Sequence, residues 1–390
     1  MKIAVLTCGM LPVPAVQGGA VENLIDFYLE YNDQKKLHDM TVYSPWDARV
    51  EKHPALASDV NHYIFIDVTS LKARIARKLY GYLHHHEYYN HFIEYYFEKV
   101  YTDLKKKDFD YIIIENGAGL AYKLSQRGHR NLILHLHNDL LNSQSRHHDV
   151  IANSFAKIIT VSNYIKGRVT TVFPIGKIET VYNGIDLKIF TRKEVSIINR
   201  RQLGFAEDDF IMVYNGRIIK EKGVSELIDA MFLLKDIPNI KLMIIGGSFF
   251  DNTQKDNEYI CMLKNKAKTI VDKIVFTGFV PYNQVPNYLQ IADIAVLPSM
   301  WEEPFGLTII EAMAVGLPLI TTRSGGITEI CEGVATIIER DSIVNNLTAA
   351  ILDLYHNPEK RDQMATALLE RSTLFDKTIY AQTFFAAIEE

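Results

Sequence analysis

Short apolar runs recur along the chain, each followed by a loop and then an amphipathic stretch. In the first half they fall at residues 3–7, 40–44, 64–68, 111–115, 132–137, 157–161 and 178–182. Runs that stay apolar on consecutive residues predict parallel strands covered by helices on both faces. Gly18 and Gly19 separate the first run from a helix predicted from about Val21, and Ser162 and Asn163 are cap residues opening a helix. Asn183-Gly184 is a turn signal. Residues 71–107 read as a long helical region rich in aromatic and basic side chains. From residue 187 to 208 the periodicity is lost and charges mix, so a linker is expected at 191–208. A second series then runs through 210–215, 241–246, 274–277, 294–298 and 317–321. The predicted class is α/β: two Rossmann-like doubly wound domains, 1–190 and 209–375, facing across a cleft. Ligands of such sheets lie outside the C-terminal strand ends, so a binding site is expected in the cleft.

Composition narrows the class. A chain of 390 residues, 48% of them hydrophobic, can bury two cores. A net charge of −5 gives no basic footprint for nucleic acid. Cys8, Cys261 and Cys331 are scattered and odd in number, which argues against a disulfide framework or a cysteine zinc site and fits a reducing cytoplasm. Residues 1–8 are too short an apolar stretch for a signal peptide and read as the first strand. No apolar run approaches the ~20 residues that cross a bilayer, so any membrane association is expected to be peripheral.

The chemistry concentrates in two loops. After the run at 294–298 the chain reads Trp301-Glu302-Glu303-Pro304-Phe305-Gly306-Leu307 and enters a helix carrying Glu311. Free backbone N–H groups at a helix start attract anions and hydroxyl oxygens, and a carboxylate there can hold a diol. Either glutamate alone reads first as a solvent-facing side chain, and only the whole string around the pair points to a site. After the run at 210–215 come Gly216 and Arg217, then Lys222 and Gly223 before the next helix. Two cations at a C-terminal sheet edge suit a diphosphate, although solvated surface charge is the ordinary fate of each. His135 and His137 share one face of a strand; a hydrogen-bonded core histidine is the ordinary fate of each, and His137, nearer the C-terminal end, reaches the cleft better. Asp108 and Asp110 have the spacing of a metal-binding pair but precede their strand, at the wrong edge of the sheet. The His84-His85-His86 run, with His91 nearby, points its rings in different directions on a helix. Neither is taken as a metal site.

The strings Glu303-Pro304-Phe305-Gly306-Leu307…Glu311-Ala312-Met313-Ala314 and Gly216-Arg217…Lys222-Gly223 resemble the E-x7-E and G-R-x4-K-G motifs of GT-B glycosyltransferases, specifically glycosyltransferase family 4. The resemblance is strongest over 211–330 and looser before it. It implies a retaining, metal-independent transferase with no cofactor beyond its co-substrate, a nucleotide-diphosphate sugar; UDP is favoured by family frequency alone. Glu311 would hold the ribose, Glu303 and the backbone around Phe305, Gly306 and Leu307 the sugar, and Arg217 and Lys222 the leaving diphosphate. Gly18, Gly19 and Gly216 would line the phosphates, Val280 would read the base through its backbone, and His137 would meet the donor sugar. Gly325 and Gly326 would give room beside the donor. The resemblance also implies that a last helix, about 376–390, packs on the first domain. A glycan or lipid-linked acceptor would follow, with cell-surface polysaccharide or glycoconjugate synthesis as the setting. A nucleotide-sugar epimerase of the same architecture is the alternative, and a sugar-binding module without catalysis is a third reading. For 71–107, a basic aromatic helix against the inner face of the cell membrane and a helix packed on its own domain stand side by side.

Overall fold

The computed structural model describes residues 1–83, 91–192, 197–247 and 256–389. The His84–His86 run, Tyr88 and Tyr89, and the side chains of His91 and Phe92, lie outside the described residues. The chain divides into two compact units: residues 1–183 with 377–390, and residues 184–376.

The first unit holds a parallel sheet of β1 (Lys2–Leu6), β2 (Asp39–Pro45), β3 (Asn61–Ile66), β4 (Tyr111–Glu115), β5 (Leu132–Leu136), β6 (Lys157–Thr160) and β7 (Ile178–Thr180). Their spatial order is β3-β2-β1-β4-β5-β6-β7. The helices α1 (Ala20–Lys35), α2 (Leu71–Leu83), α3 (His91–Leu104), α4 (Ala118–Gln126), α5 (His148–Ala152) and α6 (Asn163–Val169) connect them. Thus the region 71–107 contains two described helices. Consecutive burial of Ile3, Ala4, Val5 and Leu6 in β1 explains the unbroken apolar run: both sheet faces are covered.

The second unit contains β8 (Phe210–Asn215), β9 (Ile240–Ile245), β10 (Ile274–Gly278), β11 (Ile294–Leu297), β12 (Leu319–Thr322) and β13 (Thr336–Ile338), in the order β10-β9-β8-β11-β12-β13. Its helices are α7 (Val224–Leu233), α8 (Glu258–Lys266), α9 (Val285–Leu289), α10 (Leu307–Ala314), α11 (Ile327–Cys331), α12 (Ile343–His356) and α13 (Pro358–Ser372). In both sheets the chain builds outward one way and then returns to the other side of its first strand. The order reverses between β1 and β4, and between β8 and β11, and sheets of this kind bind ligands outside the C-terminal strand ends at such points.

The described part of the stretch expected as a linker, 191–208, falls within the second unit. Polar contacts replace the missing apolar periodicity there. Arg200 pairs with Asp293 at 3.0 Å and donates to the carbonyls of Ile291, Glu207 and Asp209. The last helix, α14 (Lys377–Glu389), clusters with the first unit. Its Phe384 stacks on Tyr28 of α1 at 4.2 Å between ring centroids, and both rings are fully buried. Each such side chain contributes roughly 1.5–3 kcal/mol through burial.

Candidate functional site

In the second unit, β8 and β11 lie side by side, with Met212 opposite Ile294. Their following loops are brought together by backbone approaches that only glycine permits. Gly223 has φ +69°, and a Cβ there would stand 1.9 Å from the carbonyl oxygen of Pro298. Met300 N–H donates to the carbonyl of Glu221 at 2.8 Å. The 216–223 loop is thereby laid against the end of β11, which sets Lys222 Nζ 2.5 Å from Glu303 Oε1. Ser299 Oγ donates to the same oxygen at 2.6 Å. Glu303 is buried, and burial alone would raise its pKa. The Lys222 ammonium and hydrogen bonds from Ser299 and Trp301 overcome this and hold the carboxyl below its usual range.

The loop after β12 closes around the backbone of Glu303. Glu303 N–H donates to Ser324 Oγ at 3.1 Å, and Glu303 C=O accepts from Gly326 N–H at 2.8 Å. A Cβ on Gly325 would stand 2.2 Å from that carbonyl. Gly325 and Gly326, expected only to give a ligand room, therefore also shape Glu303. Phe305 is buried edge-on to Phe375 at 5.9 Å, and Gly306 (φ +124°) starts α10 with no side-chain cap.

Glu311, on α10, behaves differently from Glu303. Its Oε2 accepts from Asn215 Nδ2, at the end of β8, at 2.7 Å. Burial raises its pKa to about 7, against the opposing hydrogen bond from Asn215. Gly216 lies beside α10: a Cβ on it would be 3.8 Å from Thr308 Cγ2. The Arg217 carbonyl accepts from Tyr214 OH at 2.7 Å, while its side chain is exposed and makes no ion pair among the described residues. Val280 is buried just after β10. The structure thus joins Lys222 to Glu303 and ties Glu311 to the residue preceding Gly216, all at one sheet edge.

The first unit carries a second polar cluster at the C-terminal ends of β4 and β5. Gly19 (φ +110°) leads into α1, and a Cβ there would strike Glu22 Oε2 at 2.2 Å; Gly18 (φ +74°) faces open space. Glu115, at the end of β4, is directly opposite His135 in β5. Its buried carboxylate accepts from Tyr28 OH at 3.0 Å, His135 Nδ1 at 3.1 Å and His137 Nε2 at 2.8 Å. Burial opposes ionisation of Glu115, but the two imidazoles pull its pKa down to about 2. Burial and then His135 push His137 down to about 4. Asp110 accepts from Lys2 N–H at 2.7 Å at the opposite sheet edge, apart from this cluster.

Sequence reasoning missed Glu115, Asn215 and Ser299. Glu115 was legible only as the last residue of a strand; the strand register that sets it against His135 is a property of the folded sheet.

Two family profiles match the chain: Glycosyltransferase Family 4 over residues 31–189, and Glycosyl transferases group 1 over residues 195–370. YtcC of Bacillus subtilis, which carries a glycosyltransferase name, is 30% identical over 92% of this chain and 81% of its own. The lipopolysaccharide 1,2-N-acetylglucosaminetransferase of Salmonella typhimurium is 29% identical over 68% of each chain. The crystal structure of Anabaena HepE in complex with UDP and glucose shares the fold, with a TM-score of 0.76 and 22% identity over 100% of both chains. The chain belongs to the GT-B glycosyltransferases, with a family 4 profile in its first half and a group 1 profile in its second.

Proposed function

We propose that the protein is a retaining, metal-independent glycosyltransferase that moves a sugar from a UDP-sugar to a glycan or lipid-linked acceptor in cell-surface glycoconjugate synthesis. The observation that carries the reading is the Lys222–Glu303 pair, 2.5 Å apart beside the uncapped start of α10. A cation, a carboxylate and free helix N–H groups then stand together where a nucleotide sugar presents its diphosphate and hydroxyls. Lys222 and the exposed Arg217 take the diphosphate, with Gly216 allowing close approach. Glu303 and the backbone at Phe305, Gly306 and Leu307 take sugar hydroxyls. Glu311 takes the ribose, and the backbone at Val280 the base. In the first unit, Gly18 and Gly19 approach the phosphates and His137 the sugar. The choice of UDP draws on HepE, whose complex holds UDP and glucose. The surface-glycan acceptor draws on the name of the Salmonella relative.

In the proposed reaction the bond from the anomeric carbon to the leaving phosphate oxygen breaks. The acceptor oxygen bonds to that carbon from the same face, and the acceptor's proton passes to the departing phosphate. Catalysis rests on positioning and on stabilising the leaving charge. The epimerase alternative gains no support, because both family profiles are those of transferases. An epimerase would isomerise the donor with no acceptor present.

No described helix is long and apolar enough to cross a membrane. A peripheral position at the cytoplasmic face suits a lipid-linked acceptor, and α2 supplies the surface for it. The test of the main reading is UDP release and transfer across a panel of UDP-sugars, comparing the protein with Arg217→Ala. One charge-assisted hydrogen bond is worth about 1.5–3 kcal/mol, so turnover is expected to fall about 10- to 150-fold. Near-normal transfer would remove Arg217 from the reaction.

A further inference from the structure

Among the described residues, His137 has one ring nitrogen engaged and one without a partner. Its Nε2 lies 2.8 Å from Glu115 Oε2, whereas its buried Nδ1 has no hydrogen-bond partner among the described residues. An ionised carboxylate only accepts hydrogen bonds, so the nitrogen facing Glu115 carries the proton. In a neutral ring the other nitrogen, Nδ1, then offers a lone pair. The backbone is fixed from the neighbouring strand end. Asn116 occupies the left-handed region at φ +59°, unusual for a residue with a Cβ. In that conformation its Oδ1 accepts from His137 N–H at 2.8 Å and from Asn138 Nδ2 at 2.9 Å, while its own N–H donates to the His135 carbonyl at 2.9 Å. Consecutive residues leaving β4 therefore hold both the ring and the main chain of His137. A bare lone pair in a buried place costs free energy until a donor meets it. Under the proposed function, the donor available is a sugar hydroxyl.

We propose that Glu115 and Asn116 are positioning residues for His137: they hold the imidazole with Nε2 protonated so that Nδ1 receives a hydrogen bond from a sugar hydroxyl. The proposal rests on the transferase reading for the hydroxyl, but not for the tautomer. The carboxylate acts through the ring, and Asn116 acts through the peptide that carries it.

The test pairs a spectroscopic readout with kinetics, using the full chain. In 15N imidazole spectra of the unliganded wild type, His137 is expected to show a protonated Nε2 and an unprotonated Nδ1. Glu115→Gln is expected to lose that single tautomer, and Asn116→Gly, which keeps the backbone conformation, is expected to retain it. Both variants should lower kcat about tenfold, the worth of one buried hydrogen bond, with UDP affinity unchanged. A protonated Nδ1 in the wild type would overturn the proposal even if neither variant folds. So would full turnover by both folded variants, or one tightly held metal ion per chain that occupies these nitrogens. If no UDP-sugar is turned over by the wild type, the transferase reading fails while the spectra still decide the tautomer.

Discussion

Glu303 and Glu311 come from one short string yet meet opposite electrostatics. Lys222 stabilises the charged form of Glu303, while Glu311 has the Asn215 amide and a buried setting that raises its pKa to about 7. The consequence for stability can be signed. Glu303 has a folded pKa below its unfolded value. Its ion pair therefore contributes above the unfolded carboxyl pKa, about 4.3, and the contribution is lost as pH falls through the folded pKa. Lys222→Ala leaves that carboxylate buried without its cation. We expect it to cost about 1–3 kcal/mol at pH 7, less than a fully buried pair because Lys222 is partly exposed. The loss should vanish in acid and be largely recovered in the Lys222→Ala/Glu303→Gln double variant. Urea unfolding of the four proteins at pH 7 and in acid checks this, and a pH-independent cost would show that the pair is not the cause. Charged residues at strand-loop-helix junctions were legible because the string around them is distinctive. Asn215 and Ser299 were not, since a short polar residue at a strand end has many fates and only the fold selects the one that meets a glutamate.

At the scale of elements, unbroken apolar runs located the long strands well, because both faces of each sheet are covered. The short edge strand β13 escaped notice: its three residues are half-buried and show no such run. The segment expected as a linker shows no apolar periodicity because Arg200 holds it with hydrogen bonds, which leave no periodic trace. The helix α2 keeps an apolar stripe away from its own unit. Leu71, Ile75, Leu79, Tyr82 and Leu83 are each more than half exposed, and Lys72, Arg74 and Lys78 flank them. Such a face suits an anionic bilayer, with the apolar side chains inserted and the cations at the headgroups. Flotation with phosphatidylserine-containing vesicles is expected to carry the protein at low salt and to release it as salt rises. Ile75→Glu/Leu79→Glu should abolish the binding without lowering Tm. Equal recovery on neutral vesicles, or none on anionic ones, would contradict the membrane contact proposed for α2.

At the scale of the molecule, each unit has its own sheet and its own cluster of buried polar groups, and the chain returns to the first unit through α14. Removing residues 377–390 would bare Tyr28 and its neighbours on α1. The two tryptophans, Trp46 and Trp301, report on different units. Truncation is therefore expected to lower the unfolding midpoint seen with Trp46 alone and to leave that seen with Trp301 alone nearly unchanged. Equal shifts in both single-tryptophan proteins would mean that α14 does not belong to one unit. The function proposed for the whole chain depends on a nucleotide diphosphate held at the ends of β8 and β11. Calorimetric titration of UDP into the wild type and Glu311→Ala at pH 8, where Glu311 is mostly ionised, tests this most directly. One UDP per chain is expected, bound about tenfold or more weakly by the variant, the cost of about one lost hydrogen bond to a charged group. Equal affinity in the two proteins, or no UDP binding by the wild type, would contradict it.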